Sequence, residues 1–124
     1  MARILIVDDS EEGLRAACEI LEDAGHRVAV ARDRRECRSA LAIEPDLVLV
    51  DVELSDGGDD LAAELGTHPI AEHSRIVLFS GRSEIELQRL VRESGVDGFI
   101  WKGIGAEGFL ARVCRYLPPG LEHR

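Results

Sequence analysis

Several features that would assign this chain to a specialised class are scarce or absent. Aromatic residues make up 4% of the 124 residues, and three cysteines are present, Cys18, Cys37 and Cys114. An odd number of widely separated cysteines provides neither a disulfide framework nor the spacing of a metal site. No apolar run approaches the ~18 residues that a membrane-spanning helix needs. We therefore expect reduced thiols in a cytoplasmic protein that does not cross a membrane.

Basic charge is also in short supply. The chain has 15 Lys and Arg against 24 Asp and Glu, which gives a net charge of −9. This balance argues against sequence-independent binding to nucleic acid or anionic lipid, because both need a basic surface. Four arginines between Arg32 and Arg38 are interpreted as a solvated helix face. The N-terminus lacks the apolar core of a signal peptide, because Asp8 and Asp9 interrupt its first apolar run.

Short aliphatic runs alternate with amphipathic helical patterns along the whole chain. Strands are predicted at 4–7, 26–30, 47–51, 75–80 and 98–101. Helices are predicted at 10–23, from 33 to a break at 44–46, and at 59–65, 83–95 and 106–116, with Gly66 in the connection after the third helix. This alternation indicates a parallel sheet with right-handed crossovers. The predicted fold is α/β, a flavodoxin-like doubly wound sheet of five strands in the order 2-1-3-4-5.

Polar residues occur where the predicted strands end. Asp8 and Asp9 follow the first strand, and Asp51 and Ser80 close the third and fourth. Lys102 follows the fifth strand. The carboxyl ends of adjacent parallel strands meet at one edge of the sheet, so we expect these side chains in one crevice. Three converging carboxylates would repel one another without a cation, and their oxygens suit Mg2+.

This set of residues is suited to phosphoryl chemistry. Two carboxylates could hold Mg2+ while the third attacks phosphorus to give an acyl phosphate. Ser80 and Lys102 could each bind a phosphoryl oxygen, and Gly81 leaves room for the group. Each residue also has an ordinary structural interpretation: a strand-end Asp as a helix cap, a buried Ser, a solvated Lys. The coincidence of all five at strand ends favours the chemical interpretation.

The chain resembles the receiver domain of two-component response regulators over residues 2–117. The segments that carry the resemblance are 4–10 (ILIVDDS), 44–51 (EPDLVLVD), 79–81 (FSG) and 98–102 (GFIWK). The resemblance implies that Asp51 is the phosphoacceptor and that Mg2+ is the cofactor. It implies that Asp9 is a direct metal ligand, that Asp8 acts mainly through metal-bound water, and that the Glu53 backbone carbonyl completes the protein ligands.

The resemblance also implies a switch. Ser80 would be the switch hydroxyl, Lys102 would pair with the phosphoryl group, and Phe99 would be an aromatic side chain that swings inward on activation. The alternative interpretation of Phe99 is an ordinary core residue. Glu53 and Arg82, each two residues beyond a site residue, would flank the phosphoryl group and slow attack by water through an ion pair. The alternative for this pair is two separate surface charges.

Three positions depart from the family's usual pattern. Gly103 follows the lysine where proline is usual, and we expect a trans peptide bond there because a non-proline cis bond costs about 3 kcal/mol. Ser55 lies where the family often has proline. Asp59 replaces a usual glycine, with Gly57 and Gly58 just before it. The loop after the third strand and the start of the third helix are therefore expected to be shifted or mobile.

The function predicted is that of a phosphorylatable receiver domain over 1–117, followed by a tail or linker stub over 118–124. A histidine kinase or phosphotransfer protein would supply the phosphoryl group. The surface of helix 4, strand 5 and helix 5, around Arg89, Trp101 and Arg112, would signal to a downstream protein, to a missing output domain or to a second copy in a phosphorylation-dependent homodimer. No direct nucleic-acid binding and no enzymatic activity beyond self-phosphorylation and self-dephosphorylation are expected.

Three other functions compete with this one. The first is a receiver-like interaction module that works without phosphorylation, which Gly103 and the altered loop favour. The second is a hydrolase with an aspartyl nucleophile, which would need a substrate-covering cap and a nucleophile on the first strand. The third, nucleotide or flavin binding, lacks support because the first turn, Asp8-Asp9-Ser10, is acidic where a phosphate cradle is glycine-rich.

Overall fold

Five parallel strands form the centre of this protein, in a computed structural model that describes residues 1–121. The strands are β1 (Arg3–Val7), β2 (Arg27–Ala31), β3 (Leu47–Asp51), β4 (Arg75–Ser80) and β5 (Gly98–Trp101). Their order across the sheet is β2-β1-β3-β4-β5, and every neighbouring pair is parallel. The predicted doubly wound sheet is confirmed, and the carboxyl ends of β1, β3 and β4 lie side by side.

Within the described residues, five α-helices connect or follow these strands. They are α1 (Glu11–Asp23), α2 (Arg34–Ala40), α3 (Gly58–Thr67), α4 (Glu84–Ser94) and α5 (Ala106–Tyr116). Ser10, Asp33 and Ser83 cap three of these helices, because each side chain accepts a hydrogen bond from a backbone N–H in the first turn of its helix. Such a bond gives a partner to a donor that the helix itself cannot satisfy, so these residues fix where α1, α2 and α4 begin.

Alternate residues of the inner strands face opposite sides of the sheet, and each side has its own apolar cluster. Leu5 and Val50 belong to the cluster under α2, α3 and α4, whereas Ile6 and Leu49 belong to the cluster under α1 and α5. Because both faces are covered, β1 and β3 are apolar almost throughout. The buried sheet therefore holds the residues at its carboxyl edge in fixed positions.

Several predicted boundaries differ from the structure by one or two residues, and two of them involve buried contacts. The sequence places Gly66 in the connection after the third helix, but α3 extends through Thr67. At Gly66, α3 packs closely against the backbone of Ser94, the last residue of α4. A Cβ at this position would overlap the Ser94 carbonyl oxygen, so the glycine permits the two helices to pack. β2 begins one residue later than predicted. His26 is buried instead, and its Nδ1 accepts a hydrogen bond from the backbone N–H of Ala2 at 3.1 Å.

The cluster of arginines on and before α2 is paired with acidic side chains. Arg34 and Arg38 both contact Glu64, at 3.7 and 2.7 Å, and Arg32 contacts Glu11 at 3.3 Å. Three of these four arginines therefore have an acidic partner, in keeping with the interpretation of the cluster as a surface helix face. No disulfide joins the three cysteines, all of which lie within residues 1–121.

The segment after α5 turns back onto the domain. The backbone N–H of Leu121 donates to the carbonyl of Pro118 at 3.1 Å, and Leu121 packs against the apolar cluster under α1 and α5. The rest of the predicted tail, 122–124, lies outside the described residues, so the assignment of a tail or linker from 118 stays a prediction. In the described part of the chain, none of the helices combines the length and apolarity needed to span a bilayer.

Candidate phosphoryl-transfer site

Five of the predicted site residues meet at the carboxyl edge of the sheet. Asp8 and Asp9 directly follow β1, Asp51 and Ser80 are the last residues of β3 and β4, and Lys102 follows β5. Asp8, Asp51 and Ser80 are buried, Lys102 is half-buried and Asp9 is exposed. The predicted crevice is therefore present, with one side chain, Asp9, facing solvent at its mouth.

The three aspartates lie at metal-binding distance from one another. One carboxylate oxygen each from Asp8, Asp9 and Asp51 can be chosen so that all three atoms lie within 4.8 Å of one another. Oxygen donors of this kind are the ligands that a hard divalent cation prefers. Their mutual repulsion would also be relieved by such an ion. The donor set therefore fits a Mg2+ site.

Lys102 reaches the carboxylates although glycine follows it. Its Nζ lies 3.3 Å from Asp8 Oδ2 and 3.4 Å from Asp51 Oδ1. The same ammonium group lies 5.2 Å from the centre of the Phe79 ring, within the range of a cation–π contact. No peptide bond is cis within residues 1–121, so the expected trans bond before Gly103 is confirmed. The missing proline does not prevent the lysine from entering the site.

Asp51 is a buried carboxyl group, and two of its neighbours stabilise its ionised form. Burial is the main reason why its pKa rises to about 6, and the nearby Asp8 adds to the rise. Two neighbours act in the opposite direction and lower the pKa of Asp51. The Glu53 backbone N–H donates a hydrogen bond to Asp51 Oδ1 at 2.9 Å, and Lys102 contributes a positive charge. Because the ionised carboxylate is the nucleophilic form, further positive charge in the crevice would favour a reactive Asp51.

Asp9 accepts hydrogen bonds from Ser55, a residue noted above only because the family often has proline there. The backbone N–H of Ser55 donates to Asp9 Oδ2 at 3.0 Å, and the Ser55 hydroxyl donates to the same oxygen. These two bonds, the side-chain bond first, lower the pKa of Asp9. A proline at position 55 could make neither bond, since it lacks both donors. Ser55 therefore ties the loop after β3 to the loop after β1.

α3 begins close to the end of β3. Gly58, the first residue of α3, lies so close to the end of β3 that a Cβ would be 2.5 Å from the carbonyl oxygen of Asp51 and 2.6 Å from Val52 Cα. Glycine is the residue that permits this approach. α3 thus begins at Gly58, one residue before its predicted start, and Asp59 is the second residue of the helix.

A network of ion pairs and hydrogen bonds covers one side of the crevice. Arg82 Nε lies 2.9 Å from Glu53 Oε1, so the expected ion pair forms. Arg82 also pairs with Asp59, from Nη1 to Oδ1, at 3.1 Å. Glu53 Oε1 in addition accepts a hydrogen bond from the Ser80 hydroxyl at 3.2 Å. Nothing in the spacing of the sequence indicated that Asp59 would join this pair, because the contact depends on the shifted start of α3.

Phe99 and Trp101 line the same surface groove. The groove has a volume of about 630 Å³, and Arg112 also lines it. Ile100, between the two aromatic residues, points into the apolar cluster under α1 and α5, so the predicted alternation along β5 is confirmed. Phe99 is half-buried, whereas the indole of Trp101 is half exposed and lies against Gly103, where a Cβ would overlap it. Whether Phe99 moves during activation stays a prediction.

Comparison with known proteins identifies the family of this chain. The chain belongs to the response regulator receiver domain family, whose sequence profile matches residues 4–114. It is 32% identical over 120 residues to the transcriptional regulatory protein CpxR of Escherichia coli strain K12, covering 94% of this chain and 50% of CpxR. It is 28% identical over 116 residues to a probable cyclic di-GMP phosphodiesterase of Vibrio cholerae, covering 92% of this chain and 26% of that protein. The chain thus spans a quarter to a half of these relatives.

The solved structures of similar proteins support the same assignment of fold. The chemotaxis protein CheY4 of Vibrio cholerae superposes with a TM-score of 0.85 at 24% identity, covering 94% of this chain and 99% of that one. This likeness extends to the whole five-stranded domain. At this level of identity the likeness shows the fold alone.

Proposed function

We propose that this receiver domain accepts a phosphoryl group on Asp51 in a Mg2+-dependent reaction. The observation that carries the proposal is the position of Asp51, buried at the end of β3 with Lys102 Nζ 3.4 Å away and two further carboxylates beside it. A carboxylate oxygen of Asp51 would attack phosphorus. The bond from phosphorus to the donor, such as a histidine nitrogen of a kinase, would break, and its electron pair would leave with the donor.

The residues that would hold Mg2+ are those of the acidic cluster. Asp9, Asp8, Asp51 and the backbone carbonyl of Glu53 are the proposed ligands, with Asp8 acting mainly through bound water. When bound, Mg2+ neutralises charge on the transferring phosphoryl group. Lys102 would add a second positive charge, because its ammonium group can move from Asp8 and Asp51 to a phosphoryl oxygen.

Phosphorylation would then alter the domain through Ser80 and Lys102. A phosphoryl group adds about −1.5 to −2 charge at the end of β3. Its oxygens would attract the Ser80 hydroxyl and the Lys102 ammonium group, and Phe99 would rotate inward into the space that Ser80 vacates. The result would be a population shift of the surface formed by α4, β5 and α5. Trp101 and Arg112 lie on that surface.

The lifetime of the acyl phosphate would depend on Glu53 and Arg82. Their ion pair lies beside the crevice and is partly exposed, with half of the Glu53 side chain accessible. Such a pair would restrict the approach of water to the phosphoryl group. Because exposed pairs are worth only ~0–1 kcal/mol, the expected effect on hydrolysis is modest.

The partners and location follow from this chemistry. A histidine kinase or phosphotransfer protein in the cytoplasm would donate the phosphoryl group, and the domain would have no activity beyond its own phosphorylation and dephosphorylation. The signal would pass to a separate protein, to an output domain or to a second copy of the domain. CpxR, of which this chain covers half, is named as a transcriptional regulator, which supports an output domain as one of these recipients.

The alternative is an interaction module that works without phosphorylation. Two departures from the family pattern, Gly103 and the altered loop after β3, favour it. Against it, Lys102 lies within 3.4 Å of Asp51 despite Gly103, and Ser55 bonds Asp9 within the altered loop. These contacts keep the site assembled and support the phosphorylated receiver.

The decisive experiment is intact mass spectrometry after incubation with acetyl phosphate and Mg2+. Wild-type protein should gain one phosphoryl group, and Asp51→Asn should gain none. EDTA should prevent the adduct in the wild type if the acidic cluster works through Mg2+. No adduct on the wild type with acetyl phosphate or with a cognate kinase would instead support the interaction module, and an adduct retained by Asp51→Asn would refute the assignment of the phosphoacceptor.

A further inference from the structure

The Ser80 hydroxyl is fully buried and already engaged in hydrogen bonds. It donates to Glu53 Oε1 at 3.2 Å and accepts from the backbone N–H of Arg82 at 3.1 Å. The same Glu53 oxygen accepts a third bond, from Arg82 Nε at 2.9 Å. These three bonds form a closed ring between the end of β3 and the end of β4. Glu53 therefore determines where the Ser80 proton points.

A serine hydroxyl has a single proton to donate. A carboxylate oxygen and the oxygens of an ionised phosphoryl group are both acceptors and offer no proton in return. Ser80 can therefore donate either to Glu53 or to a phosphoryl group on Asp51, but not to both at once. The two bonds exclude each other.

We propose that Glu53 is a resting-state latch on Ser80, a role distinct from any effect of Glu53 on attack by water. The inference rests on the proposed phosphorylation of Asp51. Phosphorylation must break the Ser80–Glu53 bond before Ser80 can bind the phosphoryl group. Glu53 is thus a positioning residue that sets how strongly a given phosphoryl group drives the switch.

The surroundings of Glu53 allow the latch to open. Its side chain is 50% exposed, so water can solvate the carboxylate when Ser80 leaves. Arg82, itself tied to Asp59 at 3.1 Å, stays beside Glu53 and keeps a cation near the released carboxylate. The ring therefore has a second stable arrangement, in which Ser80 has changed its acceptor and the ion pairs of Arg82 remain.

Asp59 provides a matched control. Like Glu53, it is a half-exposed carboxylate that pairs with Arg82. Within the described residues, the Asp59 side chain accepts its hydrogen bond from Arg82, and the Ser80 hydroxyl donates to Glu53 and not to Asp59. Asp59→Asn thus removes one negative charge from the same network without removing the latch.

The test is the affinity for beryllofluoride, a phosphoryl mimic, measured by calorimetry in the presence of Mg2+. Glu53→Gln exchanges a charged acceptor for a neutral one and should bind the mimic about fivefold more tightly than the wild type. Glu53→Ala, which removes the acceptor altogether, should show a larger gain. Asp59→Asn should change the affinity by less than about twofold, since exposed charges are weakly coupled to the site.

A second background separates the latch from a general effect of charge. In Ser80→Ala protein the latch has no donor, so Glu53→Gln should produce no gain. A gain that persists in this background, or one equalled by Asp59→Asn, would overturn the latch. Wild-type protein that takes up phosphate from acetyl phosphate while Glu53→Gln binds the mimic no more tightly would also overturn it. Wild-type protein that neither takes up phosphate from acetyl phosphate nor binds the mimic would refute the proposed function and the latch together.

Discussion

Replacing Asp51 by Asn should stabilise the metal-free protein at neutral pH. Asp51 is 3% exposed, and its burial beside Asp8 raises its pKa to about 6 from the ordinary 3.8. Folding therefore disfavours the ionised form of this group. Asparagine has nearly the same size and can still accept the hydrogen bond from the Glu53 backbone N–H, but it cannot ionise.

The sign and size of the effect follow from the two pKa values. Below about pH 4 the carboxyl group is protonated in both states and contributes no penalty. As the pH rises, the unfolded chain releases its proton first, so the folded state binds more protons and its stability falls until the pH exceeds the folded pKa of about 6. Above that pH the loss is about 3 kcal/mol, the free-energy equivalent of the difference between the two pKa values.

The assay is urea unfolding in EDTA at about pH 4 and about pH 7.5, the two sides of this transition. Asp51→Asn should exceed the wild type in free energy of unfolding by up to about 3 kcal/mol at the higher pH and by little at the lower one. Glu19→Gln, which removes one exposed charge on α1, is the matched control and should show no such trend. A difference that is independent of pH, or a less stable Asp51→Asn at neutral pH, would refute the reasoning.

Three further substitutions test separate contacts. Arg82→Ala should shorten the lifetime of the acyl phosphate by up to about fivefold, measured as decay of the phosphorylated mass, and an unchanged rate would rule out the proposed role of the ion pair. Gly58→Ala should lower the free energy of unfolding by about 1–3 kcal/mol, because its Cβ would lie 2.5 Å from the last carbonyl oxygen of β3; an unchanged urea midpoint would mean that the loop can adjust. Gly103→Pro should displace the indole of Trp101 and shift its fluorescence to longer wavelength, whereas Gly81→Ala, which has open space around it, should leave the emission unchanged.

The residues at the strand ends could be predicted because their positions depend on few variables. Aliphatic runs identify the strands, and alternation with helices implies a parallel sheet. Once the strand order is assigned, Asp51 and Ser80 must lie at the same edge. Lys102 follows the last strand and has a long side chain, so it reaches that edge whatever the details of the next turn. These positions are properties of the backbone register.

Contacts between loops could not be predicted in the same way. The bond from Ser55 to Asp9 joins residues 46 positions apart in the chain. The pairing of Asp59 with Arg82 joins the start of α3 to the loop after β4, and Gly58 permits the close approach of α3 to β3. A glycine in the sequence indicates that the backbone can pack closely against another group, but the identity of that group is known only from the tertiary structure.

Each of the three departures from the family pattern is accompanied by a contact of its own. Ser55 supplies two hydrogen bonds to Asp9 where proline would supply none. Asp59 adds an ion pair to Arg82, and Gly103 leaves room for the indole of Trp101. A site that was losing its function would be expected to lose contacts at such positions. Because contacts are present at all three, the departures give little support to a phosphorylation-independent module and agree better with the proposed phosphorylatable receiver.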